Sequence, residues 1–171
     1  GSDAIADQLA KLRTQGVKVY LMRGNRDFLL GRVFAARALS TLLDEPTCIE
    51  LGGRRVMLTH GDRYCTQDKA HQWLRRITRN WWFVAFFLRI PKYFRAKIVA
   101  GVRARSASNS RKPLEIMDVV PASLIAHLKK NQANIMVHGH THKPGLTLHK
   151  RHDQTYEQYV LSDWDATPSI L

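Results

Sequence analysis

Ile135-Met136-Val137-His138-Gly139-His140-Thr141-His142 decides how this chain is read. Three apolar residues run without a break into a polar stretch that holds three imidazoles. A short apolar run bounded in this way is a buried strand candidate, and its polar continuation begins at the strand's carboxyl end. Two further segments have the same grammar. Arg54-Arg55-Val56-Met57-Leu58-Thr59 runs into His60-Gly61-Asp62, and Val17-Lys18-Val19-Tyr20-Leu21-Met22 ends at Gly24-Asn25-Arg26-Asp27. A fourth strand is expected from Tyr156 to Leu161, ahead of Ser162-Asp163-Trp164.

Between these strands the apolar period changes. Ile5, Leu9 and Leu12 give residues 3–15 a helical spacing that Gly16 ends, and Phe28, Leu29, Val33, Phe34 and Leu39 do the same for 27–39. Residues 121–131 start with Pro121 in the first turn and place Leu124, Ile125 and Leu128 on one face. Strands alternating with helices define an α/β fold, in which ligand groups collect beyond the carboxyl ends of the strands. Gly61 and Gly139 let the backbone turn there. In an extended stretch His138 and His140 point the same way. Imidazoles with an amide oxygen and carboxylates suit Mn²⁺, Fe²⁺ or Zn²⁺.

The chain has 171 residues, 27 of them Lys or Arg and 14 Asp or Glu, for a net charge of +13. A hydrophobic fraction of 44% excludes a dominantly disordered chain, and two cysteines, Cys48 and Cys65, exclude a disulfide scaffold. They read as free thiols of a reducing compartment. The charge is concentrated: from Lys69 to Leu114 there are twelve basic residues and no acidic one. Such a segment fits a polyanion, a phosphate-bearing ligand or an anionic membrane surface, against the plainer reading of a solvated basic face.

The same segment carries Trp81-Trp82-Phe83-Val84-Ala85-Phe86-Phe87-Leu88. Eight apolar residues are far short of the roughly 20 that span a bilayer. Two or three helices broken near Pro91 are expected over 66–105, with this aromatic ridge set in a basic collar. That pattern fits an interfacial helix, the wall of an amphiphile-binding chamber, or the packed core of an insert.

Gly24-Asn25-Arg26-Asp27, His60-Gly61-Asp62 and His138-Gly139-His140 resemble the last three motif blocks of the calcineurin-like metallophosphoesterases. The longer runs Gly24 to Gly31, Leu114-Glu115-Ile116-Met117-Asp118-Val119 and His138 to Pro144 are similar to a narrower branch. That branch comprises the lipid A pathway pyrophosphatases of Gram-negative bacteria, which hydrolyse UDP-2,3-diacylglucosamine to lipid X and UMP. The resemblance implies an αββα sandwich, with a core from 1–65 and 115–171 and a helical lid over 66–114. It implies two Mn²⁺ per intact site, with Asn25, His60 and His138 on one ion and His140 on the other. Most of the superfamily has a proton-donating His after the Asn. Arg26 stands there in this chain, as in the narrower branch, and a guanidinium clamps phosphate oxygens rather than giving up a proton. The resemblance gives substrate contacts to Asn25, Arg26, Asp68, His71, Arg103, Ser106, Lys112 and His138, although Tyr is frequent where His71 stands. It gives the acyl chamber to Trp82, Phe83, Phe86 and Phe87. The partners implied are a UDP-diacylglucosamine glycolipid and the cytoplasmic face of the inner membrane. The protein is then cytoplasmic, peripherally bound and, when intact, a monomer, with no nucleic acid as partner.

The chain departs from the pattern in lacking the first two metal blocks, an Asp-x-His and a Gly-Asp upstream of Asn25. The expectation is an amino-terminally shortened chain with one partial metal site and little or no activity by itself. Two rival readings stay open at this level. One is a basic nucleic-acid-binding module working through residues 69–114. The other is a phosphodiesterase for a soluble nucleotide, which would leave the aromatic ridge without a role.

Overall fold

Strands β3 (Thr47–Leu51), β4 (Arg54–Leu58), β5 (Ile135–His138), β7 (Gln154–Val160) and β6 (Gly145–Arg151) lie side by side in that order. The computed structural model describes residues 2–25, 27, 29–108, 116 and 118–163, and the backbone alone of residues 103 and 105–108. In this sheet β4, β5 and β7 are parallel, while β3 and β6 close the edges antiparallel. β1 (Tyr20–Met22) and β2 (Thr41–Leu43) form a separate parallel pair, connected through α2 (Arg32–Arg37). The α/β class read from the sequence holds. The first strand is shorter than its apolar run, and it pairs with β2 rather than joining the larger sheet.

Local chemistry explains the connections. Gly52 and Gly53 both have positive φ (58° and 73°) and turn β3 into β4 through a two-residue loop. Mirror-type turns of this kind match the twist of the strands they join. α1 (Ser2–Thr14) is fastened to α2 at the surface, where Arg37 bonds both carboxylate oxygens of Asp7 at 2.9 and 3.0 Å. Surface pairs of this kind contribute little to stability.

The main core lies between the larger sheet and α6 (Pro121–Lys130). Leu124, Ile125 and Leu128 of the helix meet Met57, Met136 and Tyr156 of the strands, with Tyr64 and Cys65 beside them. These are the helix positions spaced to make one apolar face, so the 3.6-residue period is spent on burial. Burial pushes the Tyr64 hydroxyl and the Cys65 thiol up to about 12. Both cysteines are free, and the Cys65 thiol stays protonated at neutral pH.

Three helices follow β4: α3 (Lys69–Thr78), α4 (Trp81–Arg89) and α5 (Lys92–Ser108). Side-chain caps start the first two. Asp68 accepts from His71 N at 3.0 Å and Asn80 from Trp82 N at 2.9 Å, each meeting one of the donors that a helix start leaves open. Pro91 separates α4 from α5, as expected of a residue that cannot donate to a preceding turn. Among the described residues no helix is long and apolar enough to cross a membrane.

Candidate metal centre

The parallel strands β4 and β5 end side by side, and their continuations are tied together. Thr59 N donates to Val137 O at 3.1 Å, and Gly139 N donates to His60 O at 3.1 Å. His60 and His138 therefore emerge next to one another at the carboxyl edge. Gly61 has φ of 111°, and a Cβ there would lie 2.8 Å from His138 Nδ1. Only glycine supplies that conformation and that space together. Gly24 stands close to the other ring, where a Cβ would meet His60 Cε1 at 3.1 Å.

Asn25, from the loop after β1, places Oδ1 3.1 Å from His60 Nε2. The His140 ring meets the His60 ring edge-on at 5.1 Å between centroids and lies 5.2 Å from the His71 ring. Asn25, His60, His140 and His71 thus share one neighbourhood. The extended spacing expected for His138 and His140 is corrected. β5 ends at His138, and His140 has a left-handed backbone, φ 68°, so the two do not lie in one extended stretch. A non-glycine residue held in that region signals local strain of the kind found at functional sites. His138 is 1% exposed and engaged at both nitrogens, to Gly139 O at 2.8 Å and to Gln158 Nε2 at 2.8 Å.

Burial lowers the pKa of His60, His138 and His140, the last to about 4. All three imidazoles are neutral at pH 7, the state in which a ring nitrogen can donate its lone pair to a metal. An amide oxygen and neutral imidazoles fit a divalent ion in donor type. Among the described residues no group of three or more His, Cys, Asp or Glu side chains stands close enough to close around an ion. The arrangement is an open one.

A buried charge network underlies it. Glu45 Oε1 accepts from Thr59 Oγ1 at 2.9 Å and from the His60 backbone N–H at 3.1 Å. Its other oxygen meets Arg79 Nη1 at 2.8 Å and Arg75 Nη2 at 3.3 Å. Asp62, fully buried, receives Arg75 Nε at 3.3 Å, and His71 Nε2 stands 3.7 Å away. Burial raises the Asp62 pKa, but His71 and the guanidinium groups of Arg75 and Arg79 outweigh it and hold the carboxyl well below the usual range. Arg79 also donates to Arg23 O at 3.1 Å. Two of the twelve cations in the basic segment are therefore neutralised inside the molecule. Sequence reasoning missed Glu45, whose only visible signal is a carboxylate between two strand runs.

The remaining candidates are spread along the helices. Asp68 is buried as the α3 cap, and His71 sits one turn on, facing Asp62 and His140. Phe87 is buried and lines a cleft of about 610 Å³ together with Leu29, Lys92, Arg95 and Val99. Phe83 stacks on Phe87 at 5.7 Å, whereas Trp82 and Phe86 are exposed, Trp82 stacking on Trp81 at 3.9 Å. Arg26, Lys112 and the side chains of Arg103 and Ser106 lie outside the described residues.

Neutral imidazoles from two adjacent strand ends, with an amide oxygen from the loop after β1, are donors of the type that α/β metallohydrolases use. The family model for calcineurin-like phosphoesterase matches residues 2–144, and the chain belongs to that family. Divalent metal ions are implied with it. Several similar curated proteins carry the name UDP-2,3-diacylglucosamine hydrolase. That of Aeromonas salmonicida (strain A449) is 45% identical over 98% of this chain and 66% of its own length. That of Aeromonas hydrophila subsp. hydrophila is 44% identical, and that of Escherichia coli O81 (strain ED1a) 38% identical, each over 98% of this chain and 70% of its own length. The chain thus spans about two thirds of the length of these relatives.

Proposed function

We propose that this protein hydrolyses the phosphoanhydride of UDP-2,3-diacylglucosamine, with water cleaving one P–O bond to give UMP and the diacylglucosamine phosphate, lipid X. The observation that carries the reading is the meeting of Asn25, His60 and His140 with His71 of α3. Relatives whose name states this substrate support it.

Asn25, His60, His138 and His140 would hold the metal, and we take it to be Mn²⁺, two ions per complete site. A divalent ion supplies charge neutralisation for phosphoryl oxygens and a water of lowered pKa. Arg26 then grips the diphosphate through a fixed fork of N–H donors. UMP leaves without strong protonation, which suits a guanidinium where an imidazole acid is usual. Arg103, Ser106 and Lys112 bind the sugar phosphate and neighbouring oxygens. Asp68, as the α3 cap, orients His71 toward the sugar.

The cleft beside Phe87 takes acyl chain, with Lys92 and Arg95 at its polar side. Exposed Trp81, Trp82, Phe86, Tyr93 and Phe94, flanked by Arg and Lys, rest on the cytoplasmic face of the inner membrane. The test is release of UMP from the diacyl substrate and from an analogue without acyl chains. Preference for the diacyl substrate by about tenfold or more in kcat/KM supports the reading. Equal turnover of the two would return it to a soluble-nucleotide phosphodiesterase.

A further inference from the structure

Gln158 lies between two imidazoles. It sits on β7, opposite Met136 of β5 and Thr147 of β6, and only 8% of it is exposed. Its Nε2 donates to His138 Nε2 at 2.8 Å, and its Oε1 accepts from His149 Nε2 at 2.7 Å. A ring nitrogen that accepts carries no proton. The proton of neutral His138 therefore sits on Nδ1, where it is donated to Gly139 O at 2.8 Å.

Nδ1 is also the nitrogen on the side of the His60-Gly61 loop. It is the atom that a Cβ on Gly61 would meet at 2.8 Å, while Nε2 faces β7. In this arrangement neither nitrogen of His138 offers a free lone pair. A side-chain amide has one accepting and one donating end of nearly the same shape. A half-turn of the Gln158 amide places Oε1 against His138 Nε2, which then holds the ring proton. The proton leaves Nδ1 and arrives at Nε2 by exchange with water, and Nδ1 is left bare toward the His60-Gly61 loop. At the far end the turned amide donates to His149 Nε2, whose proton passes to His149 Nδ1 by the same exchange with water.

We propose that Gln158 is a positioning residue that sets the tautomer of His138, and through it the affinity of the centre for a divalent ion. The proposal rests on the reading of His138 as a metal ligand. Partners of this kind fix ring orientation and ligand basicity, and their loss typically costs about 10–100-fold in affinity.

The experiment is Zn²⁺ titration of the full chain, with ¹⁵N NMR of the His138 ring in the metal-free protein. In Gln158→Glu the carboxylate can only accept, so His138 moves to the Nε2–H tautomer before any metal is added. Zn²⁺ affinity then holds within about threefold or rises. In Gln158→Leu, which offers no acceptor, affinity falls about tenfold or more. An unchanged His138 tautomer in Gln158→Glu overturns the proposal even where Gln158→Leu fails to fold. Equal Zn²⁺ affinity in the two variants overturns it as well. His138→Ala separates the two layers. If it binds Zn²⁺ as the parent does, the ligand reading itself fails. If it loses affinity while the Gln158 variants match the parent, only the role of Gln158 fails.

Discussion

Arg79 Nη1 lies 2.8 Å from Glu45 Oε2, joining the basic helical segment to the strand ends that carry the candidate metal ligands. Glu45 holds the His60 backbone with its other oxygen, so one side chain spans both. With Asp62 and Arg75 it makes a network of two carboxylates and two guanidinium groups, the carboxylates 3% and 0% exposed. Removing one partner of such a buried set costs far more than the net value of the pair, because the other charge is left uncompensated. Glu45→Gln keeps an acceptor for His60 N–H but leaves two guanidinium groups facing Asp62 alone. The expected loss is about 3 kcal/mol in a denaturant titration. Glu45→Gln combined with Arg79→Met should recover part of it, giving a coupling of about 1 kcal/mol or more in a double-mutant cycle. Strictly additive losses would show that the contact carries no coupling.

Gly61→Ala meets two obstacles together. The left-handed backbone disfavours any side chain by about 1–2 kcal/mol, and the new methyl group would lie 2.8 Å from His138 Nδ1. Thermal unfolding should fall by several degrees, and divalent-ion affinity should fall with it as His138 is displaced. Full affinity in a stably folded Gly61→Ala protein would show that His138 is free to move.

Acid should act on the metal-free protein in two windows. The folded-state pKa of His140 is lowered to about 4, and those of His60 and His138 are lowered in the same direction. Above the ordinary imidazole value of about 6.5 both states are neutral and the full stability is present. As pH falls from there toward 4 the unfolded chain takes up protons that the folded chain refuses. Stability then falls by about 1.4 kcal/mol per pH unit for His140, and His60 and His138 add losses of the same sign. Asp62, with its depressed pKa, adds a second loss only below the ordinary carboxylate range of about 4. Denaturant midpoints between pH 7.5 and 4 check this, and a flat profile down to pH 5 would contradict it.

The cleft beside Phe87 can be blocked without disturbing the packed core. Ala96 lines it from α5 and is otherwise exposed. Ala96→Phe should raise KM for the diacyl substrate about tenfold while leaving turnover of an analogue without acyl chains unchanged. An equal effect on both substrates would place the acyl chains elsewhere.

Much of this was legible because burial and period coincide. Leu124, Ile125 and Leu128 announce α6, and the apolar runs before His60 and His138 announce β4 and β5, since those residues make the core. β6 was invisible because it is an edge strand whose residues are nearly all exposed, and β2 because three residues carry no period. Gly52-Gly53 is the hairpin signal that the sequence displays for β3 and β4. At the site the residue types were readable and their neighbours were not. Asn25 beside His60 joins two sheets, and Gln158 beside His138 follows from strand order. Glu45 beside Arg79 depends on where the end of α3 comes to rest against the β2–β3 connection. Periodicity carries no information about any of these contacts.

The central claim is metal-assisted cleavage of a phosphoanhydride at the ends of β4 and β5. It is tested most directly by UMP release from UDP-2,3-diacylglucosamine by the full-length protein, after chelation and again after Mn²⁺ is restored, in the parent and in His60→Ala. The account predicts that turnover vanishes on chelation and returns with Mn²⁺ in the parent. In His60→Ala it should stay at least about a hundredfold lower. Undiminished turnover in the chelated parent, or in His60→Ala, would contradict it.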